Sequence, residues 1–461
     1  MARSDLYEYH EKQEYPSHKG AIAGLLIVFG AFIALGIYSL MQLWADWGGT
    51  ITGVIAGFWP YLADNLWILG VGLGALLLLS VIMALGASYA AKRLGGTLIY
   101  IGAFIMNILT WAIPIILLVT GMLPLSSLGT TWPILIPGLF TLLITLLLFT
   151  VWKNNIRRAG EIIKLTGQVT LDEKGTFVPP FLTMVFTLVS ALFFGGIMLV
   201  VIPDGMNILL GNVEMTLENG WPFAIGVVVY LFVTIFFYNF AYSTTSAITY
   251  IYMRGRDPSL GDGVKASLGV VGGLIVLSIM SVIVAIVRMI IAAIARRSSN
   301  PIGRGVGYAA EGIIGWVWAL INYFTIPAMV AEELSATEGI KRSAGLVRKN
   351  FVDVMIKETA VRWGFGVLGF MFFIGFALGG ALIGWFYTGD LMLTLVVAVV
   401  FVVFASIPST LVLRTFDIVY VTLLYVFIRR KEGDYARTAI PSSMGQELEG
   451  AYSRAQNAPR D

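Results

Sequence analysis

The 461-residue chain is 58% hydrophobic and only 12% charged, with a formal net charge of +3. A soluble domain holds about a quarter charged residues, so this composition excludes a soluble fold and requires apolar surface to face lipid. The absence of cysteine excludes disulfides and thiol chemistry, and with His10 and His18 as the only histidines, a histidine-dependent metal or acid–base site within a helix bundle is excluded as well.

Residues 1–19 are polar and of mixed charge, and read as a cytoplasmic tail leading into an uncleaved first span. Apolar runs follow at residues 20–45, 66–91, 95–122, 132–152, 181–202, 221–253, 267–295, 311–331, 363–386 and 391–428. Each is long enough to cross a hydrocarbon layer about 30 Å thick at about 1.5 Å per residue. The expected fold class is all-α, a polytopic helical membrane protein of about ten transmembrane helices.

Residues 20–152 are expected to form a four-span unit, with Trp44, Trp47, Trp59 and Trp67 making an aromatic belt around its first connection. Residues 153–180 read as a polar connector opening in a short amphipathic helix, with Ile156, Ile162 and Ile163 toward the membrane. A six-span unit of three hairpins covers residues 181–437, and 438–461 form a flexible cytoplasmic tail. The last span, 391–428, would be about 57 Å long, so it must tilt, bend at Pro408 or project inward.

Charge placement sets the orientation. Of the 30 Lys and Arg, 25 fall in the N-terminal tail, at Lys92 and Arg93, in 153–180, 254–267 and 333–362, and after 428. The alternate connections 46–65, 123–131, 203–220 and 387–390 hold none. This positive-inside bias puts both termini in the cytoplasm. Arg296, Arg297 and Arg304 break the pattern. A seventh helix emerging at the outer face, with Arg288 snorkelling to the headgroups, reconciles them; Arg288 in an intramembrane ion path is the other reading.

Span six is followed by "SLGDGVKASLG" and span eight by "SATEGIKRSAG", both fitting S-x-x-[DE]-G-[VI]-K-x-S-x-G. Ser259 with Asp262 and Ser335 with Glu338 make capping boxes. In the second, Ile340, Ala344, Val347, Phe351 and Val354 recur at spacings of four and three, away from Lys341, Arg342, Arg348 and Lys349. The pattern predicts capped amphipathic interfacial helices between hairpins, with those four basic residues and Lys265 contacting anionic lipid. The shared signature reads as a duplicated hairpin unit, or as two helices restarting at an interface with the same cap.

Within "YNFAYSTTSAITYIY" of span six, Tyr242, Thr245, Ser246 and Thr249 share one helix face. With Asn322, Tyr323 and Thr325 beside Pro327 in span eight, they are candidates to line a hydrated or headgroup-binding cavity. The alternative is that Ser and Thr bond back to their own helix carbonyls and Tyr marks the interface. On the last span Arg414 and Asp417 stand at i and i+3, a candidate intramembrane pair. Gly375 with Gly379 and Gly380 with Gly384 are spaced for close helix packing, within the chain or across a dimer.

A helix ending "VIVAIVRMIIAAIARR", a glycine-bearing amphipathic piece and "YFTIPAMVAEELSATEGIKRSAGLVRKNF" succeed one another within residues 181–437. In that order they resemble an uncharacterised prokaryotic family of six-span membrane proteins. The last span with "LLYVFIRRKEGDY" is similar to the end of the membrane domain appended to some glycerophosphoryl diester phosphodiesterases. "ASLGVVGGLIVLSIMSVIVAIVR" resembles the choline-transporter-like family, which implies handling of a quaternary amine. None of these resemblances implies a catalytic or ligand residue at a numbered position of this chain.

The expectation is an integral membrane protein of transporter-like character, handling a small organic or amphiphilic, lipid-like solute. A non-catalytic accessory or scaffold subunit of a membrane complex is the other reading. No enzyme activity, cofactor or metal is expected, since H-E-x-x-H, G-x-x-x-x-G-K-[ST] and G-x-S-x-G are absent. Membrane lipids are the expected partners, with a protein partner or a homo-oligomer left open. Nucleic acid is not expected, because the basic residues follow the membrane rule rather than one groove.

Overall fold

The computed structural model describes residues 19–58, 67–120, 132–202, 205–209, 214 and 216–431. Within them regular structure is helical, and nine helices are long and apolar enough to cross a membrane, or ten if one bent pair counts as a span. The tails at 1–18 and 438–461, with His10 and His18, and also Trp59, lie outside the described residues.

Helix α1 (Lys19–Phe58) runs on through residues 46–58 of the connection expected at 46–65, since no proline interrupts it and Gly48 and Gly49 only weaken a helix. It packs along α6 (Val178–Val201), which opens on Pro179 and Pro180, where a missing N–H costs nothing. Helices α2 (Trp67–Leu94) and α3 (Thr97–Val119) are joined at Gly95, whose φ of +49° favours glycine. Helix α4 (Ile136–Phe149) has 14 residues, about 21 Å against a hydrocarbon thickness of about 30 Å. It then turns through 89° into α5 (Lys153–Asp172).

The apolar face of α5 does not lie on the membrane as expected. Ile156, Ile162 and Ile163 are buried in the protein core, against α2 and the last helix. The approach is close: a Cβ at Gly160 would stand 2.6 Å from Gly96 Cα, so only glycine lets these backbones cross. An amphipathic pattern specifies one apolar face without specifying whether lipid or protein covers it.

Helices α7 (Leu217–Met253), α8 (Leu260–Gly269), α9 (Val271–Arg297), α10 (Pro301–Ile321), α11 (Thr325–Glu332) and α12 (Ala336–Lys349) follow. Within the eighth span, Gly303–Glu332, a turn at Asn322–Phe324 separates α10 from α11, upstream of Pro327. Pro327 sits in the first turn of α11, where its missing N–H removes no helix bond. Helix α13 (Phe351–Ile356) passes through a π-turn (Lys357–Val361) into α14 (Arg362–Thr388), and α15 (Leu391–Lys431) closes the fold.

Both capping boxes form. Ser259 Oγ accepts from the Asp262 amide and Ser335 Oγ from the Glu338 amide, while each carboxylate accepts from its serine's N–H. The buried faces of these helices, however, rest on protein. A Cβ at Gly263 would stand 2.9 Å from Thr244 O, and one at Gly339 would stand 3.3 Å from Thr325 O. Ser267 bonds Ser243 and Thr244 of α7, and Ser343 Oγ accepts from the Phe324 amide. The shared glycine and second serine therefore dock each capped helix onto the span before it. In α12 the apolar stripe also falls short of expectation. Val347 and Val354 are buried, Ile340 and Ala344 half-buried and Phe351 exposed, because the helix ends at Asn350 and α13 restarts out of phase.

The axis is α15. Its second half, from Leu411 to Ile428, is buried nearly all round, as a helix apolar on most of its faces must be. It touches α2, α5, α7 and α14. Its first half exposes Val396, Val399 and Val403 on the face left for lipid. Ala84, Leu98 and Ile163 share one core cluster with Leu411, Phe416 and Tyr425, so the first four spans and the last six pack as one body. Gly380 and Gly384 face α15 closely, whereas nothing lies within 4 Å of a Cβ at Gly375 or Gly379.

Candidate functional site

A cavity of 430 Å³ lies between α7, α9, α10, the π-turn and α15. Its apolar wall includes Leu277, Val284, Trp316, Trp318 and Ile326, and its polar groups are Tyr238, Asn239, Tyr242, Asn322 and Tyr323. Five charged side chains also face it: Arg288, Lys357, Glu358, Arg362 and Asp417. The break after α10 is what turns Asn322 and Tyr323 toward this space.

Lys357 is the centre of the charged wall. Its side chain is 1% exposed, and Nζ donates to Asp417 Oδ1 at 2.5 Å and to Glu358 Oε1 at 3.0 Å. The same ammonium lies 4.9 Å from the centroid of the Tyr323 ring. Glu358 in turn takes Nε of Arg362 on Oε2 at 3.0 Å. Lys357 opens the π-turn, a one-residue widening of the helix that re-aims side chains and is frequent at functional sites. On the opposite wall Arg288 bonds Glu311 of α10 through Nε at 2.8 Å and Nη2 at 2.5 Å. A Cβ at Gly315 would stand 2.6 Å from Arg288 Cζ, so this glycine leaves the guanidinium its place.

Of the seven residues expected to line a cavity, Tyr242, Asn322 and Tyr323 do so. The other four bond elsewhere. Thr245 Oγ1 donates to Thr176 O at 3.3 Å, Ser246 pairs with Thr422 at 2.8 Å, Thr249 donates to Thr245 O at 2.9 Å and Thr325 donates to Asn322 Oδ1 at 3.2 Å. The helix face brings Tyr242 to the cavity, and the turns beyond it meet α15 and the segment before α6 instead of open space.

The expected pair of Arg414 with Asp417 is replaced by another. Asp417 takes Lys357, and Arg414 lies 5.7 Å from the centroid of the Tyr238 ring. An enclosed ammonium reached across helices displaces the local i, i+3 partner. Arg288 bonds Glu311 and lines the cavity.

Among the basic residues expected on anionic lipid, Lys265, Lys341, Arg348 and Lys349 are exposed. Arg342 is committed within the chain: its Nε donates to Glu332 Oε1 at 3.0 Å, where Tyr425 Oη also donates and Arg429 Nε approaches to 3.6 Å. Sequence reasoning missed Lys357, Glu358 and Arg362, which it placed in a cytoplasmic connection. The available signal was the apolar content of "FVDVMIKETAVRWG", which extends the ninth span back to Phe351.

A second, apolar groove of 570 Å³ lies between α3 and α4, lined by Phe104, Trp111, Leu142 and Phe149 around Asn107. Asn107 Nδ2 donates to Thr145 Oγ1 at 2.7 Å there.

The sequence profile of a family of unknown function (DUF6159) matches residues 187–434, which spans α7 to α15 and every charged residue of the cavity. That is more than half of the chain, and the protein belongs to this family. Among curated proteins none matches it.

Proposed function

We propose that this multi-pass membrane protein is transporter-like, binding and carrying a small organic or amphiphilic solute in the cavity between α7, α9, α10, the π-turn and α15. The observation that carries the reading is a 430 Å³ space that gathers five charged side chains inside helices long and apolar enough to span a membrane. Charged residues within membrane-spanning helices are costly and mark pathways for polar solutes. The turn between α10 and α11 supports it, since it places the polar side chains of Asn322 and Tyr323 on the cavity within an otherwise apolar span. The role is one of binding without covalent chemistry, with both termini cytoplasmic and with Lys265, Lys341, Arg348 and Lys349 against anionic lipid.

Native mass spectrometry of the protein, extracted from its own membrane with little delipidation, tests this reading. A reproducible small adduct on the lone chain is expected, lost when Ala285→Trp fills the cavity. A stoichiometric protein companion with no small adduct would overturn it in favour of an accessory subunit.

A further inference from the structure

We propose that the solute is an acid, whose phosphate or carboxylate is received between Arg288 and Arg362 with the Tyr323 hydroxyl as a third donor. This rests on the cavity being the solute site. Three cationic side chains, Arg288, Lys357 and Arg362, line it against two carboxylates, Glu358 and Asp417. More decisive is which groups have bonding capacity left.

The means of recognising a cation are largely taken up from within the chain. Both oxygens of Glu358 are bonded, Oε1 to Lys357 and Oε2 to Arg362, and Asp417 holds the same ammonium. Two tyrosine faces of the cavity already have a cation over them, Lys357 on Tyr323 and Arg414 on Tyr238. A cationic solute would have to compete with the chain's own cations for these groups.

The means of recognising an anion are open. A guanidinium has five N–H donors in a planar fork that matches carboxylate and phosphate. Arg288 spends Nε and Nη2 on a single oxygen of Glu311, and Arg362 spends Nε on Glu358. Their side chains are 42% and 60% exposed, so the remaining donors are accessible. Tyr323 Oη is enclosed without a hydrogen-bond partner among the described residues, a cost that an acceptor oxygen in the cavity would remove. Trp316 and Trp318 beside these groups give an apolar chain on the acid a surface to lie against.

The test uses the full chain in phosphatidylcholine nanodiscs, with binding read by thermal stabilisation and native mass spectrometry. The probes are octyl phosphate, inorganic phosphate and octyltrimethylammonium, each also applied to Ala285→Trp to subtract uptake by the bilayer. Octyl phosphate is expected to bind the parent protein and to bind Arg362→Gln and Arg288→Lys at least ten-fold more weakly. Arg288→Lys keeps the charge beside Glu311 while losing the fork, so a folded variant remains available. Binding of octyl phosphate alone makes the solute a membrane amphiphile, and binding of inorganic phosphate as well makes it a free anion; either supports the acid. Octyltrimethylammonium binding as well as or better than octyl phosphate overturns the acid and leaves the cavity as a solute site. Silence of all three overturns both.

Discussion

Lys357 Nζ stands 2.5 Å from Asp417 Oδ1 and 3.0 Å from Glu358 Oε1, so one enclosed ammonium joins the π-turn to the axial helix and pairs with two carboxylates at once. The arrangement is asymmetric. Removing the ammonium takes the cation from Asp417 and leaves Glu358 with Arg362 alone, whereas removing one acid leaves Lys357 with the other.

Lys357→Met is therefore expected to be the most damaging single change in the cavity, on the scale of about 3–5 kcal/mol for breaking a buried pair from one side. Asp417→Asn should cost clearly less, because Glu358 still holds the ammonium. Chemical unfolding of both variants in the same micelle checks the ranking, and equal costs would show that the two carboxylates do not share the load.

The capped helices carry a pH dependence of definite sign. Hydrogen bonds from the side chain and backbone of Ser259 hold the Asp262 carboxyl below the usual range, and those of Ser335 do the same for Glu338. A group whose folded pKa is depressed adds stability above its unfolded value, about 4 for a carboxyl, and that contribution disappears as pH falls through the folded value. Amide exchange at the starts of α8 and α12 should thus be slowed by the caps at pH 7 and much less so at pH 3. Ser259→Ala should lose about 1 kcal/mol of local protection at neutral pH. A variant that keeps the parent's protection there would show that docking onto α7, and not the cap, fixes this helix.

The cysteine-free chain makes the orientation directly measurable. Single cysteines at Ser298, after α9, and at the exposed Lys265 of α8 should react with an impermeant maleimide from opposite sides, Ser298→Cys from outside and Lys265→Cys from inside. The three arginines 296, 297 and 304 oppose the charge rule there. Inside labelling at Ser298→Cys would reverse the hairpin and, with it, the assignment of Lys265 and Lys341 to the cytoplasmic leaflet.

The sequence made the spans legible because burial in lipid needs only length and apolarity, and it made both capping boxes legible because a cap is local. It also named Tyr242, Asn322 and Tyr323 from their polarity within apolar helices. It hid what depends on pairing between distant elements. Nothing near Lys357 in the chain announces Asp417, 60 residues on, and the π-turn that aims the ammonium inward shifts the helix register after Ile356. Ile163 likewise reads as a membrane-facing residue until α2 and α15 are known to cover it.

Glu332 offers the sharpest test of how the capped helix α12 is tied to the rest. It closes α11 and accepts from Arg342 of α12 at 3.0 Å and from the Tyr425 hydroxyl of α15, with Arg429 Nε at 3.6 Å. One carboxylate thus fastens the eighth span, the capped helix and the axis together. The chain must turn sharply after it: Glu333 adopts φ 54°, a left-handed conformation that disfavours any residue with a Cβ. Two neighbouring changes should then act in opposite directions. Glu332→Gln removes the charge from between two guanidiniums and is expected to speed amide exchange in α12 about ten-fold, equivalent to about 1.4 kcal/mol. Glu333→Gly relieves the left-handed backbone and should leave α12 as protected as in the parent or more so. If Glu332→Gln leaves α12 exchange unchanged, the helix is held by Gly339 and Ser343 on α11 and its N-terminal break alone, and the carboxylate is a bystander to their packing.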